Sequence, residues 1–554
     1  MKKLFWIFIA SPVLFSARIW AQETVKDTVF LIPFADTVLL DEVVVKAHKT
    51  IPMNNRWSDL QPVDLVTVAG ANGNLYKALE TLPGTQIQGE SGRLLVRGGS
   101  SDETQTYIDG MHVLNPYTST AENIPARGRY SPFMFSGINL STGGHSQEYG
   151  EALSAVLPLE TKDNSRINKV GISPSTVGIG GGGNHAFRNA SLALNLDYQN
   201  LALYNKVYPG RIDFKKPYQM FSGATQFRYT PSGSSVFKIY VGYDRTDYSN
   251  YTDNNRYLFC LGENNVYLNS TFRTAISGGW EWFSGMAYSL FDRKVDGAVT
   301  EGDHWCEKQA ELHFKTKLSK KFHPTFRMDV GFESFLRWYE TRYSQVSVAD
   351  TKEISPTIEA VFGTVSYYPV ENLKAELSFR TEYASLARKI NFSPRLSFSY
   401  SWCDLVLSAT AGRYTQLPNA KYLAQQPSLL SEACRQYNVG GLYKAAGRFY
   451  KAEFYYKKYD RLVLYTPAGL TSGGYGSSKG VDLYFEDRSL MRNLECNLSY
   501  SFNLSQRKYL EYTELTTPQY ATRHNASLVL KYSLTKLRTI VALTERFACH
   551  NANL

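Results

Sequence analysis

Glycines and carboxylates crowd the stretch LLVRGGSSDETQTYIDGMHV, residues 94–113, in a pattern that could serve a phosphate, a calcium ion or neither. The paired glycines are not followed by Lys-Ser or Lys-Thr at P-loop spacing, and no GxGxxG is present in the stretch. Asp102, Glu103 and Asp109 lack the alternating spacing of an EF-hand loop. Neither GxSxG nor HExxH occurs in it. The stretch therefore predicts no nucleotide, calcium or catalytic site, and its role depends on the elements that it connects.

The first residues, MKKLFWIFIASPVLFSARIWAQ, have the layout of an export signal. Two lysines precede an apolar run over residues 4–15, and small residues place a cleavage site after Ala21. Because the run is too short to span a membrane, residues 1–21 are predicted to be a secretory signal peptide. No later apolar stretch reaches about 18 residues, so a membrane-bound form of this chain would have to be a barrel.

The chain is rich in aromatic residues yet polar on average. It has 39 Tyr and 30 Phe among 554 residues, with a mean hydropathy of −0.31. Outer-membrane barrels combine these properties, because aromatic girdles face the lipid interfaces while every second strand residue faces a wet interior. The formal charge of +10 is spread along the chain rather than gathered in a patch, which argues against nucleic-acid binding.

From residue 164 to residue 554, apolar and polar residues alternate in segments of about ten residues, as transmembrane strands do. In NLKAELSFRTEYAS the apolar residues from Leu373 to Tyr383 occupy odd-numbered positions, while Lys374, Arg380 and Glu382 occupy even-numbered ones. KAEFYYKKYD and NASLVLKYSL repeat this pattern. The run GIGGGG, residues 178–183, lies among these segments without the βαβ context of a dinucleotide site and is predicted to be a hairpin turn. A soluble β-sandwich also alternates, but its dry interior would not tolerate these charges, and its strands are shorter than TFRMDVGFESFLRWYETRY. The region predicts a transmembrane antiparallel β-barrel of about 18 strands.

Residues 51–163 lack the long alternating segments of the barrel region and predict a small α/β domain. ANGNLYKALETLPG places its leucines at helical spacing, and Pro-Gly ends the helix. Short β-like pieces separated by glycines follow, among them RLLVRG, QTYIDG and SAVLPLETK. Upstream, within residues 22–50, LDEVVVKA forms an isolated strand that either pairs with another chain or is an ordinary edge strand.

LLVRGGSSDETQTYIDGMHVLNPY, followed by PARGRYSPFMFSGINLSTGGHSQEYGEALSAVLPLETKD, resembles the plug domain of TonB-dependent outer-membrane receptors. ALETLPG is similar to the first helix and turn of that plug, and LDEVVVKA to the segment that links the TonB-contacting stretch to it. The resemblance covers residues 40–163, and the alternating region resembles the family's barrel. It implies a mainly β fold, a transmembrane antiparallel β-barrel in the outer membrane of a Gram-negative bacterium, with a small α/β plug domain inside the lumen.

What the resemblance implies about function is energy-coupled uptake of a scarce ligand, namely a siderophore, haem, a corrinoid or a glycan, without enzymatic activity or a cofactor. The ligand would bind between extracellular loops and plug, and the TonB complex would pair with residues 22–50 at the periplasmic face. The TonB-contacting residues would be Leu40, Asp41, Glu42, Val43, Val44 and Val45. The plug-motif residues would be Val96, Arg97, Gly98, Gly99, Asp109 and Gly110, the last two serving turn geometry. The ligand-binding candidates are Arg127, Arg129 and Tyr130, whose alternative role is plug packing or contact with the barrel wall.

Three features depart from the family pattern. Too few residues lie between Ala21 and Leu40 for the extra β-sandwich domain that many relatives carry. The predicted strand count falls short of the about 22 strands of the family's barrel, and the chain ends on ACHNANL rather than on an aromatic strand end. We therefore expect a barrel that is roughly four strands short, and unpaired edge groups in lipid cost several kcal/mol each. Such a chain would close as a smaller barrel, pair with another molecule, or fail as a receptor.

Two other functions stay open at this point. A passive outer-membrane channel fits the barrel, although a plug domain argues against it. An enzyme built on carboxylates that face the lumen is conceivable, although no spacing supports one. None of the six cysteines stands in CxxC spacing, so no metal site is predicted, and a disulfide cannot be assigned from the sequence.

Overall fold

The computed structural model describes eleven ranges of the chain, which are residues 56–57, 62–71, 73–87, 91–119, 126–162, 168–175, 177–207, 213–251, 257–345, 348–537 and 539–549. The signal peptide predicted at residues 1–21 lies outside the described residues. The segment predicted to contact TonB, residues 22–50, lies outside them as well.

The first part of the described chain is a small mixed domain, the plug, built around one short sheet. Its strands follow the order β1-β7-β8-β4-β5, with β6 also paired to β8, and β2 pairs separately with β3. The pairing of β4 with β8 is parallel and the others are antiparallel. The elements are β1 Arg56–Trp57, α1 Pro62–Val66, α2 Leu75–Leu79, β2 Thr85–Gln86, β3 Leu95–Val96, β4 Thr104–Ile108, β5 Met111–Val113, β6 Phe135–Ile138, β7 Leu140–Ser141 and β8 Ala155–Thr161.

The predicted plug helix is present as α2. Asn74 caps it, its side-chain oxygen accepting a hydrogen bond from the backbone N–H of Tyr76 at 3.2 Å. Leu75, Tyr76, Ala78 and Leu79 are all buried, because so short a helix inside a domain is surrounded by its neighbours. Four of these five side chains join the plug's core cluster together with barrel residues, so plug and barrel share one apolar core.

The second part is a single barrel formed by strands β9 to β29. Its elements are β9 Lys169–Ser175, β10 Gly178–Ala186, β11 Ala190–Asn200, α3 Ala202–Val207, β12 Phe214–Ser232, β13 Ser235–Tyr251, β14 Leu258–Ile276, β15 Trp280–Asp296, β16 His304–His323, β17 Phe326–Gln345, β18 Val348–Ile354, β19 Thr357–Val370, β20 Leu373–Ala384, β21 Lys389–Trp402, β22 Leu405–Gln416, α4 Ala420–Leu423, β23 Glu432–Ala445, β24 Arg448–Thr466, β25 Gly469–Asp487, β26 Leu494–Tyr509, β27 Tyr512–Thr516, β28 His524–Leu534 and β29 Thr539–Cys549.

The described strands close, and they cross the wall nineteen times. Both β18 and β19 pair with β17, and both β27 and β28 pair with β26, so each of these couples is one interrupted crossing. The closed barrel brings β29 beside β9, and an odd number of crossings, hence an even number of antiparallel steps, makes these two strands run in the same direction. From the low strand count we expected a chain that closes as a smaller barrel, pairs with another molecule or fails as a receptor. The described strands form a smaller closed barrel, the first of these outcomes. Parallel pairing is slightly weaker per residue, which marks this seam as the weakest junction of the wall.

The alternation predicted from the sequence separates a lipid-facing from a lumen-facing side. In β24, Phe454 is 59% exposed on the outside, whereas Lys451, Glu453 and Lys457 are buried on the inside. β17 runs for 20 residues, longer than sandwich strands usually are. The charged side chains on the lumen-facing side of the strands are therefore tolerated, because they face the plug. Among the described residues, no helix is both long and apolar enough to cross a membrane.

One sequence expectation about the barrel is wrong. The run GIGGGG, residues 178–183, was predicted to be a hairpin turn but lies inside β10, paired on both sides with β9 and β11. Glycine weakens an isolated strand, but here two neighbouring strands hold the backbone, and their hydrogen bonds do not depend on side chains.

The two ends of the barrel differ in their connections. Turns of two to six residues join the strands at the end where the plug enters β9, whereas the other end carries long connections at 201–213 and 417–431. Outer-membrane barrels have short periplasmic turns and longer extracellular loops. We therefore take the end with the long connections as the extracellular, or outer, end.

Candidate functional site

The turn between β4 and β5 consists of Asp109 and Gly110, with φ of 50° and 85°. Positive φ at both central residues is what a two-residue type I′ hairpin requires. The Asp109 carboxylate also accepts hydrogen bonds from the N–H and the hydroxyl of Thr161, at 3.0 and 2.6 Å. Lys238 of the barrel lies 3.4 Å from the same carboxylate. The turn thus contacts the barrel wall as well as reversing the chain.

Arg97 follows directly on Val96, the last residue of β3, and is 1% exposed. Its guanidinium lies 2.8 Å from the Asp482 carboxylate and 2.7 Å from that of Glu453, and it stacks over the Tyr455 ring at 4.5 Å. Burial lowers the pKa of Arg97, but the two carboxylates outweigh burial and raise the pKa above its ordinary value. Arg97 is therefore a permanent cation that joins the plug to β24 and β25.

The two glycines after Arg97 allow the plug to approach the wall closely. Gly98 has φ of 70°, and a Cβ added there would lie 2.7 Å from the Ser478 hydroxyl and 2.8 Å from Ser505. A Cβ at Gly99 would collide with the side chain of Ser154. These two residues serve backbone approach rather than phosphate binding.

Glu103 forms the second plug–barrel contact. Its carboxylate accepts hydrogen bonds from Arg507 of β26, from the Ser154 hydroxyl at 2.6 Å and from the Tyr459 hydroxyl at 3.1 Å. The Lys457 ammonium donates to the same Ser154 hydroxyl at 2.9 Å. Burial raises the pKa of Glu103, but Arg507 and the neighbouring donors outweigh burial and hold the pKa below its ordinary value. Glu103 is thus held ionised.

The structure places two of the three ligand-binding candidates against the barrel wall. Arg129 is buried and pairs with both Asp244 and Glu263 on the barrel wall. Tyr130 is buried as well and packs on barrel tyrosines, whose ring centroids lie 6.3 and 6.0 Å away. Burial against the wall leaves neither side chain facing the outer space, because each completes the plug–barrel contact. Arg127 alone of the three is half-exposed, and it interacts electrostatically with Tyr218 of β12.

A third contact was not identified from the sequence. His112 of β5 lies 2.6 Å from the Glu311 carboxylate, which also pairs with Arg337 at 2.6 Å. Arg337 reaches back to Glu151 of the plug at 2.7 Å. The plug is thus ion-paired to the wall at β13–β14, at β16–β17 and at β24–β26, and Glu80 pairs in addition with Arg546 of β29 at 3.2 Å. The sequence did show charged residues at the lumen-facing positions of the strands. This pattern indicated buried charges but not which plug residues pair with them.

Two apolar clusters lie at the outer end of the lumen, which we call the vestibule. The first lies on β12–β15 and consists of Tyr218, Met220, Tyr248, Leu261 and Val295, with Trp305 packed against it. Arg293 stacks on Trp305 at 4.6 Å and donates to the Ser119 hydroxyl of the plug at 3.1 Å. The second cluster includes loop residues and is described below. In the part of the chain that is described, no group of three or more His, Cys, Asp or Glu residues could hold a metal ion.

One catalytic-looking motif lies outside the stretch analysed first. GSSKG, residues 476–480, has nucleophile-elbow spacing but lies within β25, a regular strand. The Ser478 hydroxyl donates to the backbone carbonyl of Arg97 at 2.9 Å. Ser478 therefore holds the plug, and no strained elbow exists at this position.

Comparisons with known proteins agree with this architecture. Residues 66–156 match the model of the TonB-dependent Receptor Plug Domain. By sequence, the chain matches none of the curated proteins with which it was compared.

Three solved structures have a similar fold. The outer membrane transporter YddB from Escherichia coli is 12% identical, with a TM-score of 0.71 over 92% of this chain and 88% of that one. The alcaligin outer-membrane receptor FauA from Bordetella pertussis is 12% identical, with a TM-score of 0.69 over 91% and 89%. The copper transporter OprC is 12% identical, with a TM-score of 0.68 over 86% and 82%. At this identity the likeness concerns the fold alone. Residues 66–156 therefore carry a TonB-dependent receptor plug domain, and it is seated inside a barrel whose fold is similar to that of outer-membrane transporters and receptors.

Proposed function

We propose that the chain imports a scarce extracellular ligand across the outer membrane in an energy-coupled step. The observation that carries the proposal is the plug, which is ion-paired to the wall at four places around the lumen. A fixed stopper prevents solutes from diffusing through, so import requires work on the plug from the periplasmic side.

The segment through which the plug would be pulled contains Leu40–Val45. An isolated β-branched strand ahead of the plug can add to the sheet of a partner, and main-chain hydrogen bonds then transmit force. We propose that this partner is the TonB energy-coupling protein. A pull on the N-terminal side of the plug would act on α1 and α2 first, because they are the first helices of the described chain.

The vestibule supports a ligand that combines aromatic or apolar surface with negative charge. Trp305 supplies a partly exposed ring, while Arg127 of the plug and Arg293 of the wall supply cations that are partly exposed as well. Among the similar folds, one is named a copper transporter, one an alcaligin receptor and one a ferric enterobactin receptor. Siderophores, haem, corrinoids and glycans are the ligand classes proposed for this chain.

The test is growth of a deletion strain on single sources of iron, haem, cobalamin and glycan, complemented with the wild-type chain or with Val44→Pro. Proline removes a main-chain donor from the segment, so we expect uptake to be lost while ligand binding at the cell surface persists. Val44→Ala is the control and should complement. Uptake that survives both Val44→Pro and an uncoupler would overturn the proposal and favour a passive channel.

A further inference from the structure

The connection between β22 and β23, residues 417–431, folds into the lumen instead of standing above it; we call it the crossing loop. It contains the short helix α4, capped by the Asn419 side chain, which accepts a hydrogen bond from the Lys421 N–H at 3.1 Å. Three of its four leucines, at 417, 423 and 429, are buried. A loop at the rim of a barrel is usually exposed, so this burial requires a partner surface.

That surface is the outer part of the wall on either side of the loop. The leucines of the crossing loop pack in one cluster with residues of β17–β20 on one side and of β24–β25 on the other. The wall residues of this cluster are Phe335, Tyr339, Ile354, Ile358, Ala384, Val463 and Leu470. The crossing loop therefore spans one half of the vestibule, and the half bordered by β12–β16 stays uncovered by it.

Hydrogen bonds also join the crossing loop and its root to the plug. The Gln416 side-chain amide donates to the Asp102 carbonyl at 2.7 Å, and that of Asn419 donates to the Asp102 carboxylate at 3.2 Å. The Leu417 N–H donates to the Glu151 carboxylate at 3.2 Å. Both plug partners neighbour contacts described above, because Asp102 precedes Glu103 in one turn and Glu151 pairs with Arg337.

We propose that the crossing loop is an outer gate latched to the plug by Asp102 and Glu151. While the plug is seated, the gate covers half of the vestibule and confines the ligand to the side of β12–β16. Displacement of the plug removes both acceptors at once, so the gate is released by the same movement that opens the lumen. This inference rests on the proposed function, because it assumes that the plug moves during import.

The experiment measures how readily the gate opens, using a chain whose six free cysteines are replaced. Leu423→Cys is the reporter, since Leu423 is 1% exposed and reacts only when the loop lifts. Intact cells are treated with a membrane-impermeant maleimide, and the labelling rate is compared between the parent, the latch variant Asp102→Ala/Gln416→Ala and the control Gln425→Ala. Gln425 lies exposed on the same loop and bonds only within it, to the Lys421 carbonyl.

We expect slow labelling in the parent and in the control. The latch variant loses two hydrogen bonds, so its labelling should rise between about fivefold and about a hundredfold. Leu429→Cys serves as a second reporter if Leu423→Cys does not assemble. Equal rates in the latch variant and the control, or full-rate labelling of both reporters in the parent, would overturn the gate. The assay needs no ligand, so a failure of import alone leaves its outcome unaffected.

Discussion

Removing the charge of Arg97 should loosen the plug more than any surface substitution. Arg97→Ala leaves the carboxylates of Glu453 and Asp482 buried, at 0% and 4% exposure, without their guanidinium. Breaking a buried ion pair from one side costs about 3–5 kcal/mol, because the remaining charge stays desolvated. The lost stacking on Tyr455, worth about 1 kcal/mol, is part of that cost. We therefore expect the free energy of opening of the plug sheet to fall by about 3–5 kcal/mol.

Hydrogen exchange of the β4 and β8 amides, followed by mass spectrometry in detergent, measures this opening. A loss of about 3–5 kcal/mol speeds exchange by between about two and about four orders of magnitude. Arg435→Ala is the matched control, since Arg435 also pairs with a carboxylate, Asp460 at 2.8 Å, but is 51% exposed. An exposed pair contributes at most about 1 kcal/mol, so exchange in the plug should hardly change.

A double variant separates lost charge pairing from lost packing. Arg97→Met/Asp482→Asn removes one uncompensated charge and leaves Glu453 with Lys451, 3.3 Å away. We expect exchange in this variant to slow by more than about tenfold relative to Arg97→Ala. Equal exchange rates in Arg97→Ala and Arg435→Ala would refute the reasoning, because the plug would then not depend on this buried pair.

Three further predictions follow from the same contacts. Gly110→Val should lower the free energy of unfolding by about 1–2 kcal/mol, because a side chain with φ of 85° is strained, whereas Asp109→Asn should keep the turn; thermal denaturation in detergent compares them. Glu103 has a lowered pKa in the folded state, so its ionised carboxylate stabilises the fold at any pH above 4.5, the pKa of this group in the unfolded chain. This stabilisation is lost as the pH falls through the lowered pKa of the folded state. Glu103→Gln should therefore be less stable than wild type at pH 7 and equal to it in strong acid. A closed barrel should migrate as a compact form in unboiled electrophoresis and more slowly after boiling, and a single mobility in both would contradict closure.

The sequence predicted the features that depend on local pattern. Alternation assigned Phe454 to the lipid side and Glu453 to the lumen, and the Asp-Gly pair at 109–110 indicated a tight turn. Both follow from the conformation of a few neighbouring residues, because a strand has a period of two and a two-residue turn needs positive φ.

The partners of the plug charges could not be predicted in the same way. Arg97 and Asp482 are 385 residues apart, and which lumen position faces Arg97 depends on the register of every strand between them. The same limit applies to the crossing loop, since its burial depends on the wall that it meets. The glycines of β10 were wrongly predicted to form a turn. Their backbone is held as a strand by hydrogen bonds to β9 and β11, and these neighbours cannot be seen in the local sequence.

The central claim is that a plug, held by buried ion pairs, closes the lumen of this barrel until work is done on it. Conductance of the purified chain in a planar lipid bilayer tests this claim directly. We expect almost no steady current for the wild-type chain, and a large, reversible current once urea unfolds the plug. A steady ohmic current through the untreated wild-type chain would contradict it.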